Sequence, residues 1–276
     1  MAELRGKAGD FLALHHDDRP LLQPNAWDEG SAKLLEALGF RCIATTSSGF
    51  AASRGQLDGS VTREEVLDHG ARLAAAVNIP VAADMENGFA DDPEGVARTV
   101  TLACATAVAG CSIEDFTRRR DDPIYERRLA AERVAAAAEA AHSGPVQLVL
   151  TARAENHIHG RGDLADTIAR CQAYQEANAD VLFAPGLTSA QEIQSLVSSV
   201  DAPVSVLVQH GSPPVDELAA LGVARVSVGG AFAYSAYAGM VDAAREFMEA
   251  GTYSYWQRFA SNRELFREAF RSDRES

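Results

Sequence analysis

Three acids stand where they could share one cation. Asp84 and Glu86, in ADMENG, are two residues apart, so in an extended segment they point the same way. Glu114, in SIED, ends the following apolar run. Neighbouring strands lie about 4.8 Å apart, which brings it alongside. Three carboxylates in one pocket repel strongly unless a cation is present. The donors are hard oxygens with no cysteine or histidine pair among them, which suits Mg2+, or Mn2+, rather than zinc. Mg2+ keeps several waters, so one direct carboxylate with two acting through water is reasonable.

Arg153 closes another apolar run and is the one cation at such a position. Its fork suits a carboxylate or phosphate, so an anionic substrate would sit between it and the metal. The competing use is a structural ion pair with Glu155 or another rim acid. The turn Ser47-Ser48-Gly49 offers small side chains and backbone N–H groups, either as an oxyanion cradle or only as a helix start. Trp27 could wall a small-molecule pocket or simply pack under a loop. His157, His159 and His210 are acid–base candidates, each more readily read as a rim histidine with no role. Gly229-Gly230 reads as a close-packing pair ahead of a phosphate site. Arg118-Arg119-Arg120-Asp121-Asp122 reads as a solvated loop whose position also makes it a candidate lid.

These residues need a scaffold that gathers strand ends. Short Val, Ile, Leu and Ala runs fall near 20–24, 41–46, 80–85, 111–115, 146–152, 180–184, 203–208 and 224–228. Such runs mark strands buried on both faces. Helical stretches alternate with them near 28–38, 63–77, 93–109, 126–141, 163–178, 189–198, 214–221 and 231–249. Thr62 before Glu64 and Glu65, and Asp92-Pro93, are helix starts. Eight strand–helix units without a linker favour a (β/α)8 barrel, an α/β fold with its site at the C-terminal strand ends. An open doubly wound sheet would want a glycine-rich turn after the first strand, where this chain reads Pro24-Asn25-Ala26-Trp27-Asp28. One domain over residues 1–276 is expected, with its core about 20–250 and an amphipathic helical extension about 252–271.

Composition removes several function classes. The chain has 276 residues and a formal net charge of −14, against a nucleic-acid grip or an anionic membrane surface as partner. No run of about 18 apolar residues occurs, so neither a membrane span nor a secretory signal is expected. The four cysteines form no CxxC pair, and a reducing cytoplasm is the expected location. Lys7, read as part of an N-terminal tail, and Lys33, inside a helix, are the only lysines, so Schiff-base chemistry has no candidate.

The ordered set PNAWD, TTSSG, Asp58 in GQLDG, ADMENG, SIED, ARAEN, VLFAPG and VSVGG resembles the isocitrate lyase / phosphoenolpyruvate mutase superfamily over roughly residues 10–240. The resemblance implies a barrel with Mg2+ bound chiefly by Asp84, Glu86 and Glu114 assisting through water. It implies that Ser47, Ser48 and Gly49 hold a 2-oxo-carboxylate, that Arg153 meets its carboxylate, and that Asp58 lies near the reacting centre. It also implies a homo-oligomer, dimer or tetramer, with C-terminal helices exchanged between neighbours. Two departures stand out. Glu86 is one methylene longer than the family's usual aspartate. The loop FTRRRDDPIYER has no counterpart of the lyases' Lys-Lys-Cys-Gly-His acid motif. The expected activity is C–C cleavage, as a lyase or decarboxylase of small 2-oxo or 2-hydroxy di- or tricarboxylates. The metal and the Ser/Gly amides would stabilise an enolate oxygen, with Asp58 or Glu155 as general base and Arg153 catalytic. Trp27, Asp84 and His210 complete the expected substrate contacts. The rival readings are phosphonate C–P chemistry and a non-catalytic 2-oxo-acid-binding protein.

Overall fold

Pro24 divides the first barrel strand in two. In the computed structural model, which describes residues 2–271, β1 (Leu21–Gln23) and β2 (Asn25–Ala26) flank it. Proline has no N–H for a ladder, yet its carbonyl still accepts from Ala44 N at 2.9 Å. Seven further strands follow: β3 (Ile43–Thr45), β4 (Val81–Asp84), β5 (Gly110–Glu114), β6 (Val149–Arg153), β7 (Val181–Phe183), β8 (Val204–Leu207) and β9 (Arg225–Ser227). All pairs are parallel, each of β3 to β9 lying beside its neighbour in sequence. β1 pairs with β9 and β2 with β3, so the two halves of the split strand close the ring. The nine segments are therefore eight barrel strands, the (β/α)8 architecture expected.

Helices alternate with the strands. They are α1 (Ala2–Leu14), α2 (Glu29–Ala37), α3 (Ser47–Ser53), α4 (Arg63–Ala76), α5 (Pro93–Cys104), α6 (Arg127–His142), α7 (Leu164–Glu176), α8 (Ala190–Val197), α9 (Val215–Ala220), α10 (Ala231–Arg245) and α11 (Trp256–Ala269). The start signals act as their chemistry dictates. Glu65 N donates to Thr62 Oγ1 at 3.3 Å, and Thr62 N donates back to Glu65 Oε2 at 2.8 Å. Pro93 opens α5 behind the Asp92 cap. Past α10 the chain makes one π-helical turn, Glu246–Ala250, and α11 folds back so that Phe270 reaches Gly30 of α2.

Two elements depart from the sequence reading. The segment read as a tail is α1, which plugs the barrel at the N-terminal ends of the strands. Phe11 is fully buried, and Gly110 is what admits it: a Cβ there would lie 2.9 Å from the Phe11 ring and 2.7 Å from Val149 O. Lys7, on this helix, donates to Val77 O at 3.3 Å. The second is α3, absent from the helical stretches expected, where Ser47-Ser48-Gly49 forms the first turn of a short helix capped by Thr46, as its helix-start reading had it. Among the described residues no helix is long and apolar enough to cross a membrane. The four cysteines are all unpaired thiols.

Candidate active site

Strand pairing brings the acids together. Glu114 and Arg153 are register partners across β5 and β6, and Asp84 pairs with Ser112 across β4 and β5. Alternation along β5 turns Ser112 and Glu114 to the same side. All three charged side chains reach the C-terminal mouth of the barrel. Ser47, Asp58, Glu86, Glu114, Arg153 and Glu155 line one cavity of ≈ 470 Å3 there, joined by Phe116, Arg118, Arg120 and His159. Asp84 lies at its floor, where Arg153 reaches it.

Arg153 is the hub. Its guanidinium lies 3.1 Å from Asp84 Oδ1, 3.2 Å from Glu114 Oε2 and 2.8 Å from Glu155 Oε1. Burial alone would lower its pKa; the Glu155, Glu114 and Asp84 carboxylates outweigh that and raise it. Burial raises the Glu114 carboxyl well above the carboxylate range, against Arg153, and the nearby Glu155 and Asp84 charges push it the same way. Both sequence readings of Arg153 therefore meet in one place: it pairs with Glu155, and it faces the cavity.

Glu86 is held by strained backbone. It has φ +49°, and Phe89 three residues on has φ +55°, both in the left-handed region. The buried Arg133 holds this loop in place. It donates to the carbonyls of Asn87, Ala90 (3.0 Å) and Glu114 (3.2 Å), and it covers the Tyr125 ring. One Glu86 oxygen contacts the guanidinium of Arg118, while Oε1 is buried without a hydrogen-bond partner among the described residues. Arg118 also lies over the Phe89 ring and donates to Gly59 O at 3.3 Å. The 116–125 segment is itself tied down by the Phe116–Ile124 bridge and by Thr117 N donating to Pro123 O at 2.7 Å. The loop read as solvated thus sends one arginine inward.

Asp58 and Ser47 form the opposite wall. Burial, and then the facing Asp84 charge, raise the Asp58 carboxyl, against its hydrogen bond with Ser47. Ser47 N donates to Asp84 Oδ2 at 3.4 Å. Ser48 lies 3.2 Å from Thr46 Oγ1 and against Gly230, where a Cβ would come within 2.4 Å of Ser48 Oγ. Gly49 is buried, and its N–H goes to Thr46 Oγ1 at 3.4 Å. Of the three, Ser47 alone lines the cavity. Trp27 packs against α3 behind the wall, its backbone N–H donating to Ser31 Oγ at 3.0 Å. His210 is exposed beyond β8 and is not among the lining residues.

On the remaining side, Asp115 sets Glu155. Its Oδ1 accepts from Glu155 N at 2.8 Å, and its Oδ2 accepts from Tyr174 OH at 2.5 Å and Arg170 Nη1 at 3.1 Å. His159 is the histidine that reaches the cavity. Its ring stacks on Phe116 with centroids 3.7 Å apart, and Nε2 lies 3.6 Å from Glu155 Oε2. From sequence, His159 is an acid–base candidate, Arg118 is part of the candidate lid, and Phe116 has no role; its only signal is position after strand four.

The donor set suits a hard divalent cation: carboxylate oxygens in excess of nearby positive charge, one of them buried and orphaned. Among the described residues no three acids converge on one metal-sized point, because Arg153 stands between Asp84 and Glu114.

The chain's residues 11–248 match the family model described as phosphoenolpyruvate phosphomutase. The chain belongs to this family. Its fold matches at a TM-score of 0.95 a Burkholderia cenocepacia J2315 protein assigned provisionally as a lyase/mutase, at 48% identity over 99% of each chain. It is 29% identical to the 2-methylisocitrate lyase of Halalkalibacterium halodurans, over 75% of this chain and 70% of that one. It is 26% identical to an oxaloacetate acetylhydrolase solved with its product oxalate, at a TM-score of 0.85 over 96% of this chain and 94% of that one. The superfamily resemblance read from the motifs is thus the family's own.

Proposed function

We propose that the protein is a Mg2+-dependent C–C bond-cleaving lyase or decarboxylase of small 2-oxo or 2-hydroxy di- or tricarboxylates, working through an enolate. The observation that carries this reading is the cluster of Asp84, Glu114 and Glu155 around Arg153 at the strand ends, with Glu86 and Arg118 lining the same cavity mouth. The named relatives act on 2-methylisocitrate and oxaloacetate, both small carboxylates of this class. Asp84 would hold the ion, with Glu86 and Glu114 assisting through water; Mn2+ could replace Mg2+. When bound, the ion supplies Lewis-acid polarisation of the 2-oxo group.

The chain's own residues do the rest. Arg153 meets the substrate carboxylate with its fork and holds Glu155 in place. Ser47, which lines the cavity, would place its hydroxyl on the oxygen where enolate charge develops. Asp58 and Glu155 are the bases for a lyase; Asp58, with its raised carboxyl, also suits the return of a proton. No cysteine lines the cavity among the described residues, so protonation of the leaving carbon falls to these acids or to His159. The exposed apolar side chains of the C-terminal region, Phe247, Met248, Tyr253 and Trp256, support a homo-oligomer built through it.

The test is turnover by the Mg2+-loaded protein on oxaloacetate, methylisocitrate and phosphonopyruvate. Cleavage of one of the first two, abolished by EDTA and restored by Mg2+, is the expected result. Turnover of phosphonopyruvate alone assigns C–P chemistry instead. Tight binding of oxo-acids with no turnover assigns a binding protein.

A further inference from the structure

Beneath the catalytic mouth the barrel has a polar middle layer where such barrels ordinarily carry bulky aliphatic side chains. Gln23, Thr151, Ser205 and Arg225 meet there. Arg225 is 4% exposed and donates from Nε to Ser205 Oγ at 2.9 Å, from Nη2 to Thr151 Oγ1 at 3.1 Å and from Nη1 to His15 Nε2 at 3.1 Å.

None of these partners is negative. Burial, with Arg225 beside it, lowers His15 to a pKa of about 3, so its ring is neutral. Its Nδ1 then donates to Phe11 O at 2.8 Å, which leaves Nε2 as an acceptor for the arginine. Burial also pulls Arg225 down to about 10, with Arg153 above it pushing the same way. No carboxylate pairs with Arg225 among the described residues. An unpaired buried charge is costly, and neutral hydrogen bonds do not cancel it.

A cavity of ≈ 50 Å3 adjoins this arginine, reaching from Gln23, Ser227 and Arg225 up to Arg153. Gln23 is 3% exposed, and its Nε2 has no hydrogen-bond partner among the described residues. The hydroxyl of Thr151, which lines the cavity, accepts from Arg225 and so keeps its own proton to donate. The lower part of the cavity is therefore rich in donors and positive. One water needs roughly 10–15 Å3 of such space, so the volume suits a single halide or a few waters and is tight for a tetrahedral oxyanion.

We propose that this cavity is an internal binding site for a chloride-sized monoanion, held by Arg225 and the Gln23 amide on the barrel axis below Asp84 and Arg153. A cation is repelled by two guanidinium groups, and water alone leaves the Arg225 charge uncompensated. The site shares its upper wall, Asp84 and Arg153, with the substrate cavity, and its anion-binding end at Gln23 and Arg225 does not depend on which reaction the protein catalyses.

The test uses the wild-type protein crystallised with bromide in place of chloride, with data collected at the bromine edge. An anomalous peak in the cavity beside Arg225 is the expected result. Thermal melts at constant ionic strength should show a saturable rise in Tm with chloride over gluconate. In Gln23→Leu the half-saturating chloride concentration should rise about threefold or more. Gln23→Leu keeps Arg225 and its three partners, so the comparison does not rest on a variant that loses the buried arginine. Water without anomalous signal in the cavity, bromide at surface arginines only, or identical melts in chloride and gluconate would overturn the proposal.

Discussion

Glu114 and Arg153 face each other across β5 and β6, and their side chains meet at 3.2 Å on the wall of the candidate active site. The pair has two further members, since the same guanidinium holds Asp84 and Glu155. Removing one partner of a buried ion pair strands the others, at a typical cost of about 3–5 kcal/mol. Arg153→Met should therefore lower Tm sharply at pH 7 and abolish turnover. The Tm deficit should shrink as the pH is lowered and the stranded carboxylates protonate. Thermal melts across pH check this; a deficit independent of pH would remove the charge argument.

Glu114 also sets a pH signature. Its folded pKa is raised by burial above the ordinary carboxylate value of 4.5. A raised carboxyl leaves stability intact below 4.5 and removes it as pH rises through the folded value. Asp115, raised chiefly by burial, adds the same sign. In metal-free protein the stability contributed by Glu114 should fall as the pH climbs above 4.5, against the opposite trend of the buried histidines. Glu114→Gln should therefore gain stability relative to wild type as the pH rises. Urea titrations of both proteins at several pH values measure it; a difference between them that does not change with pH counts against the burial of an ionisable Glu114.

Much of this site was legible in the sequence because parallel buried strands write themselves as apolar runs, and a barrel gathers whatever follows each run. Asp84, Glu114, Arg153 and Glu155 could be placed from that rule alone. Glu86 could not be placed in detail, since its direction depends on a left-handed backbone held by Arg133 from another helix. Arg118 and His159 act through loop geometry, which carries no periodic signal. The helix α1 was obscured by Gly6 and Gly9, poor helix formers, and is held by packing of Phe11 against Gly110. The short α3 was hidden by its serine- and glycine-rich first turn.

Two buried histidines govern the acid limb. Burial lowers His69 to a pKa of about 4 and His15 to about 3. A lowered histidine stays neutral when folded, so stability is full above 6.5 and is lost as pH falls from there toward the folded value. His69 stacks on Phe50 at 3.9 Å, and neither ring nitrogen has a hydrogen-bond partner among the described residues. His69→Leu should therefore raise Tm at pH 5 relative to wild type, with a smaller difference at pH 8. Melting curves at the two pH values decide it, and a larger gain at pH 8 would contradict the sign.

Arg120 stands at the cavity mouth, exposed, with no ion pair among the described residues. Under the proposed function it would meet the second carboxylate of a dicarboxylate substrate. Losing a rim charge contact of about 1 kcal/mol corresponds to roughly fivefold in affinity. Arg120→Ala should raise KM by about that factor for a dicarboxylate and leave kcat nearly unchanged. Steady-state kinetics check it; an unchanged KM would remove Arg120 from substrate binding.

The most direct measurement is the binding of Mn2+ to metal-free protein, followed by the EPR signal of the free ion, in wild type and in Asp84→Asn. One saturable site per chain in the wild type, lost or weakened at least tenfold in Asp84→Asn while the variant still melts cooperatively, is the expected result. No site in the wild type, or equal affinity in the variant, would contradict an acid cluster built to hold a divalent cation.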